Sequence, residues 1–266
     1  MKLIPTLLTV ALGSLTLLSG SIHAEPVSQA KNQAAVQDSE TLFNMGRAYF
    51  YGIDGYPLDK KQGCELYEKS ATQGNAKSQL AVGTCYGNGE GFALNGPKAL
   101  EWLTKAGKNG QSHAYNVMGL LYAGGQGVEK DLKKAVEYYK IADSKNDAFG
   151  ATFLGLAYMS GEGVPIDAKK AVAYLTKGAD LGNSFAQADL AQLYISGELV
   201  EQNLDTALKY LRLAAQSNHS KAEYALGMMY ELGVGVEQNK STARTWYEKA
   251  LAHGHAEAGE KLKALQ

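Results

Sequence analysis

Residues 112–147 read SHAYNVMGLLYAGGQGVEKDLKKAVEYYKIADSKND. In the first third of this stretch Ala114, Met118, Leu121 and Tyr122 are spaced four, three and one apart, which places them on one stripe of a 3.6-residue helix. The run GGQGV follows, and glycine is the residue that takes the positive φ at which a helix ends. Helical spacing then resumes, with Ala135, Tyr138, Tyr139 and Ala142 as the apolar face, and stops at Asn146. After glycine, asparagine best tolerates the left-handed cap. The stretch therefore predicts helix, glycine turn, helix, and a lone hairpin of this kind cannot bury its apolar face by itself.

The same text recurs along the chain. Tyr86, Tyr122, Tyr158, Tyr194 and Tyr230 fall 36 residues apart, and Tyr49 precedes the first by 37. Three residues before each tyrosine stands Gly46, Gly83, Gly119, Gly155, Ala191 or Gly227, and three after it Gly52, Gly89, Gly125, Gly161, Gly197 or Gly233. A second turn glycine follows as Gly91, Gly127, Gly163 and Gly235 in the second, third, fourth and sixth units, with Gly55 displaced by the insertion in the first, whereas Leu199 breaks that column in the fifth. Glycine inside a helix is unfavourable by ~1 kcal/mol against alanine, so its recurrence before tyrosine implies close approach of two helices. Each second helix is expected to stop at Gly74, Gly110, Asn146, Gly182, Asn218 or Gly254. The units are 39–75, 76–111, 112–147, 148–183, 184–219 and 220–255, and residues 256–266 begin a seventh first helix that closes the stack as a cap.

Glycine supplies 30 of the 266 residues, above the roughly 7% of ordinary proteins, and the repeat explains most of that excess. Lys+Arg of 26 against Asp+Glu of 27 gives a net charge of −1, which provides no pull toward nucleic acid or acidic lipid. Residues 1–24 carry Lys2, the apolar run Leu3 to Leu18 and the small-residue end at Ala24, and predict a secretory signal peptide. Residues 25–38 lack periodicity and are expected to be a flexible leader. The mature protein is then periplasmic or secreted, without stable membrane insertion.

The LG-x-x-Y segment, the G-x-GV turn, KA-x-x-Y/W and the terminal Gly or Asn together resemble the Sel-one-like repeat family, which is related to tetratricopeptide repeats. The resemblance covers 39–255. It implies an all-α, right-handed α/α solenoid of six helical hairpins with a C-terminal capping helix, and an exported adaptor that binds proteins or peptides, in the periplasm of a Gram-negative bacterium. Some proteins with these repeats are immunity proteins against secreted toxins, and a hydrolase acting on β-lactam or cell-wall substrates has been proposed for cysteine-rich relatives. Those two functions are the alternatives.

Chemistry-bearing residues are few. Cys64 lies in the second helix of unit one and Cys85 in the first helix of unit two, so a bridge across neighbouring helices and two buried thiols are both open to them; an oxidising compartment favours the bridge. It resembles, without matching in position, the inter-helix disulfides of the cysteine-rich family members. His253-Gly254-His255 brings two imidazoles close, but the run sits at a helix cap and lacks the further ligands of a metal site. No glycine turn completes G-x-G-x-x-G, and all join helix to helix, where a dinucleotide turn follows a strand. No serine or metallohydrolase motif is present outside a chance Ser28-x-x-Lys31. No catalytic residue, metal or cofactor is therefore expected.

A solenoid binds partners along the face lined by its first helices. By the 100° step, the second, fifth, ninth and twelfth positions of each unit are expected to line it. In units four and five this predicts an apolar patch of Phe149, Leu156, Met159, Phe185 and Ile195, facing a partner or packed on neighbouring structure.

Overall fold

The computed structural model describes residues 37–265; the predicted signal peptide at 1–24 and the leader up to residue 36 lie outside the described residues. Among the described residues there are thirteen helices and no strand. They are α1 (Ser39–Tyr51), α2 (Lys60–Thr72), α3 (Ala76–Asn88), α4 (Gly96–Lys108), α5 (His113–Gly124), α6 (Leu132–Ser144), α7 (Ala148–Ser160), α8 (Ala168–Asp180), α9 (Ser184–Ser196), α10 (Leu204–Gln216), α11 (Ser220–Leu232), α12 (Lys240–Ala252) and α13 (Glu257–Ala264). Odd and even helices up to α12 pair as hairpins, one per repeat unit.

The sequence writes each boundary twice. Every odd helix from α1 to α11 ends on the predicted glycine in the left-handed region, from Gly52 at φ 64° to Gly161 at φ 78°. Every even helix begins on an Asp or Asn: the Oδ1 atoms of Asp59, Asn95, Asp131, Asp167, Asn203 and Asn239 accept from the backbone N–H three residues on. A cap of this kind contributes about 1 kcal/mol. After each even helix the chain turns on the predicted Gly or Asn, with Asn146 at φ 58° and Asn218 at φ 57° standing where the other units have glycine. Asp38, the last residue of the expected leader, accepts from Glu40 and Thr41 N–H and starts α1.

Close approach within a hairpin is real. A Cβ on Gly119 would run into the Tyr139 ring and lie 3.0 Å from the Ala135 carbonyl oxygen. That approach corrects one expectation about the first helices. Positions 1, 5, 8 and 12 form a single i, i+4, i+7, i+11 stripe. Glycine at position 8 lets the unit's own second helix settle onto that stripe, so position 5 in the first four units and position 12 in the first three are drawn into the hairpin. Phe43, Leu80, Asn116 and Thr152 of the fifth column are buried. The ring of Phe43 meets Tyr67 at 5.7 Å, Phe50 of the twelfth column meets the same ring at 6.0 Å, and Tyr224 meets Tyr247 at 5.4 Å.

The chain divides into two compact bodies, with the boundary between Lys145 and Asn146. In the first, α2 packs on α3 and α4 on α5. The second follows the same rule, α8 on α9, α10 on α11 and α12 on α13. In the fifth unit, where Leu199 replaces glycine, the turn keeps the left-handed Gly197, and the Gln202 side-chain amide donates to the Ile195 carbonyl at 2.7 Å. The terminal α13 buries Ala258 completely. Its Lys261 ammonium binds Glu231 at 3.0 Å, and the Tyr247 hydroxyl donates to the same carboxylate. These cations and donors hold the Glu231 carboxyl below its ordinary range, the tyrosine hydrogen bond most of all.

Candidate protein-binding face

The five residues of the predicted patch all belong to the second body and are all partly exposed. Phe149 and Phe185 stand at position 2 of α7 and α9, each two residues beyond a side-chain cap, Asp147 or Asn183. Leu156, Met159 and Ile195 pack on the core that includes Leu190 and Leu193, so each shows only part of its surface. Phe185 also meets the His219 ring edge-on, centroids 4.9 Å apart.

One residue the sequence reading passed over lies among them. Asp189 follows Phe185 by one turn of α9 and so shares its face. Position 6 is otherwise Asn44, Ala81, Val117, Phe153 and Ala225; Ala81, Val117 and Phe153 are buried, and Ala225 packs on the second body's core. A carboxylate has been put into a column that is apolar in four of the five other units. Burial pushes Asp189 up to about 6, and the Lys221 ammonium pulls it only part of the way back. No hydrogen bond or ion pair reaches this carboxylate among the described residues. The column itself, an acid where four of the five other units have Ala, Val or Phe, was the signal available in the sequence.

His219, His253 and His255 serve the packing. His219 caps α11 through Nδ1, which accepts the Ala222 N–H at 3.3 Å; burial, then Lys221, lowers its pKa. His253 Nδ1 lies 2.7 Å from the carboxylate of Glu223, which is 1% exposed. The same fourth-position-to-cap link occurs in unit two, where the Asn109 side chain donates to Gln79 Oε1 at 2.8 Å. His255 lies against Tyr224, centroids 4.4 Å apart. Among the described residues no three His, Cys, Asp or Glu side chains gather as a metal site.

In the first body Cys64 and Cys85 form a disulfide joining α2 to α3, with Cα atoms 6.3 Å apart. Both residues are buried. The bridge, not the pair of thiols, is what the two columns support.

Six copies of the Sel1 repeat match this chain, at 39–75, 76–111, 112–146, 148–183, 184–219 and 220–255. The chain belongs to the Sel1 repeat family. Its fold is the all-α solenoid of helical hairpins, closed by a C-terminal helix. A Sel1 repeat protein from Oxalobacter formigenes is 31% identical over 80% of this chain and 85% of that one, with a TM-score of 0.66. The protective antigen c5321 of uropathogenic Escherichia coli is 29% identical over 85% of this chain, with a TM-score of 0.61. This chain spans about half, 49%, of the antigen's length. The immunity protein Pa5087 of Pseudomonas aeruginosa shares the fold at 18% identity, with a TM-score of 0.60 over 85% of this chain and 86% of that one. No curated protein matches. Sel1 repeat proteins generally bind other proteins, and in this one no described helix is long and apolar enough to cross a membrane.

Proposed function

We propose that this Sel1 repeat protein is an exported adaptor or scaffold, without catalytic activity of its own, that binds a protein or peptide on the first-helix face of its second body. The observation that carries the reading is the patch at Phe149, Leu156, Met159, Phe185 and Ile195, whose side chains are all left partly exposed. Apolar side chains left partly in water on neighbouring first helices are suited to a partner site. Two aromatic rings at one register on successive first helices give it the anchors that dominate protein interfaces. Export is supported by the signal-like residues 1–24 and by the Cys64–Cys85 disulfide, which persists in oxidising compartments.

The test is affinity capture from the periplasm with the full chain and a Phe149→Ser/Phe185→Ser variant, folding being checked by circular dichroism. The wild type should retain a protein that the folded variant loses. Equal retention by both would remove the patch from the reading. Capture of a secreted toxin would turn the same site into that of an immunity protein. Hydrolysis of a penicillin or of cell-wall fragments by the purified protein would overturn the non-catalytic assignment.

A further inference from the structure

The proposed patch does not consist of apolar groups alone. Asp189 sits within it, one helical turn from Phe185, partly exposed, with no hydrogen bond or ion pair among the described residues. Lys221, whose charge acts on it, forms no ion pair with it, and Gln192, one turn further along α9, is exposed to solvent. An unpaired carboxylate only partly reached by water is unfavourable to the fold, since part of its hydration is lost and no donor replaces it. Three other units fill the same position with a buried alanine, valine or phenylalanine, so the repeat does not need an acid there.

Groups that work against folding and sit on an open face are characteristic of binding sites. The chemistry missing at Asp189 is a cation with hydrogen-bond donors, delivered from outside along with apolar surface. A lysine ammonium or arginine guanidinium supplies the charge-assisted hydrogen bonds, and its aliphatic stem lies comfortably on Phe185. We infer that the partner segment presents a Lys or Arg side chain flanked by apolar residues, with Asp189 receiving the cation and Phe149, Phe185, Leu156 and Met159 receiving the apolar neighbours. This inference rests on the patch being the binding face.

Phage-displayed random dodecapeptides panned against the full chain at neutral pH provide the probe. Wild type should enrich peptides carrying a Lys or Arg among apolar residues. For a synthetic copy of an enriched peptide, replacing that base by norleucine should weaken binding at least about tenfold, as loss of a desolvated charge pair does. Asp189→Asn, nearly isosteric and free of charge, should cause the same loss, and the two changes together should be no worse than either alone. Enrichment of apolar peptides without a base, lost in Phe149→Ser/Phe185→Ser but indifferent to Asp189→Asn, would overturn the inference and leave the proposed face standing. Peptides unaffected by the double phenylalanine variant, or no enrichment at all, would overturn both.

Discussion

The two bodies are built from the same repeat and finished differently. Over residues 37–145 the edge of the first-helix face is paired: Glu40 binds Lys77 at 3.2 Å and accepts from Asn75 at 3.1 Å. The ninth and twelfth columns there include buried Thr84, Leu120, Phe50 and Ala123, and a disulfide ties α2 to α3. From residue 146 onward the corresponding positions hold phenylalanine, leucine, methionine and isoleucine in partial contact with water, together with a carboxylate lacking a counter-ion. The repeat columns supply the fold in both. What separates a charge-paired face from an apolar one is a handful of residues whose identity the repeat does not prescribe.

Removing the staple is the largest perturbation expected. Cys64 and Cys85 are separated by 21 residues, and opening a loop of that size in the chain-entropy account removes about 3 kcal/mol. Native-state hydrogen exchange on Cys64→Ser/Cys85→Ser should therefore show faster opening of α2 and α3, with amides of 146–265 unchanged. Loss of protection in both bodies to the same degree would mean that they do not respond separately.

Next comes the close-contact glycine. Gly119 in the first body meets Tyr139, whereas the second body admits Ala191 in the same column, fully buried. Gly119→Ala should lower stability by about 2 kcal/mol through overpacking. The reciprocal Ala191→Gly should lose about 1 kcal/mol, the helix-propensity term. Chemical denaturation of the two variants measures both. A neutral Gly119→Ala would show that the tyrosine yields easily.

The effect at Asp189 depends on pH and carries a sign. Its folded-state pKa is raised to about 6 from 3.8, so its contribution favours the fold below the ordinary carboxylate range and is lost as pH rises through about 6. Asp189→Asn should then be more stable than wild type at neutral pH, by about 1–2 kcal/mol once partial exposure is allowed for. The gain should vanish below about pH 4. Melting curves across that range decide it, and a gain independent of pH would refute the electrostatic origin.

Much of this architecture was legible in the text of the chain. Glycine at the turn, Gly or Asn after the second helix and tyrosine at a fixed interval each answer a local geometric demand, and such demands are readable without tertiary context. The cysteine columns lay on facing helices, which made the bridge legible too. The burial of the fifth position was not, because a helical wheel marks the two flanks of an apolar stripe alike and only the neighbour's position tells them apart. Asp189 and the Glu223–His253 pair escaped for a related reason. Their significance lies in what surrounds them: an apolar column for one, and for the other a cap residue 30 positions later in the chain.

The most direct measurement is hydrogen exchange of the full chain with and without the protein it captures. Protection should appear on α7 and α9, around Phe149 to Met159 and Phe185 to Ile195, with α1 to α5 unchanged. Protection confined to the first body would contradict the account.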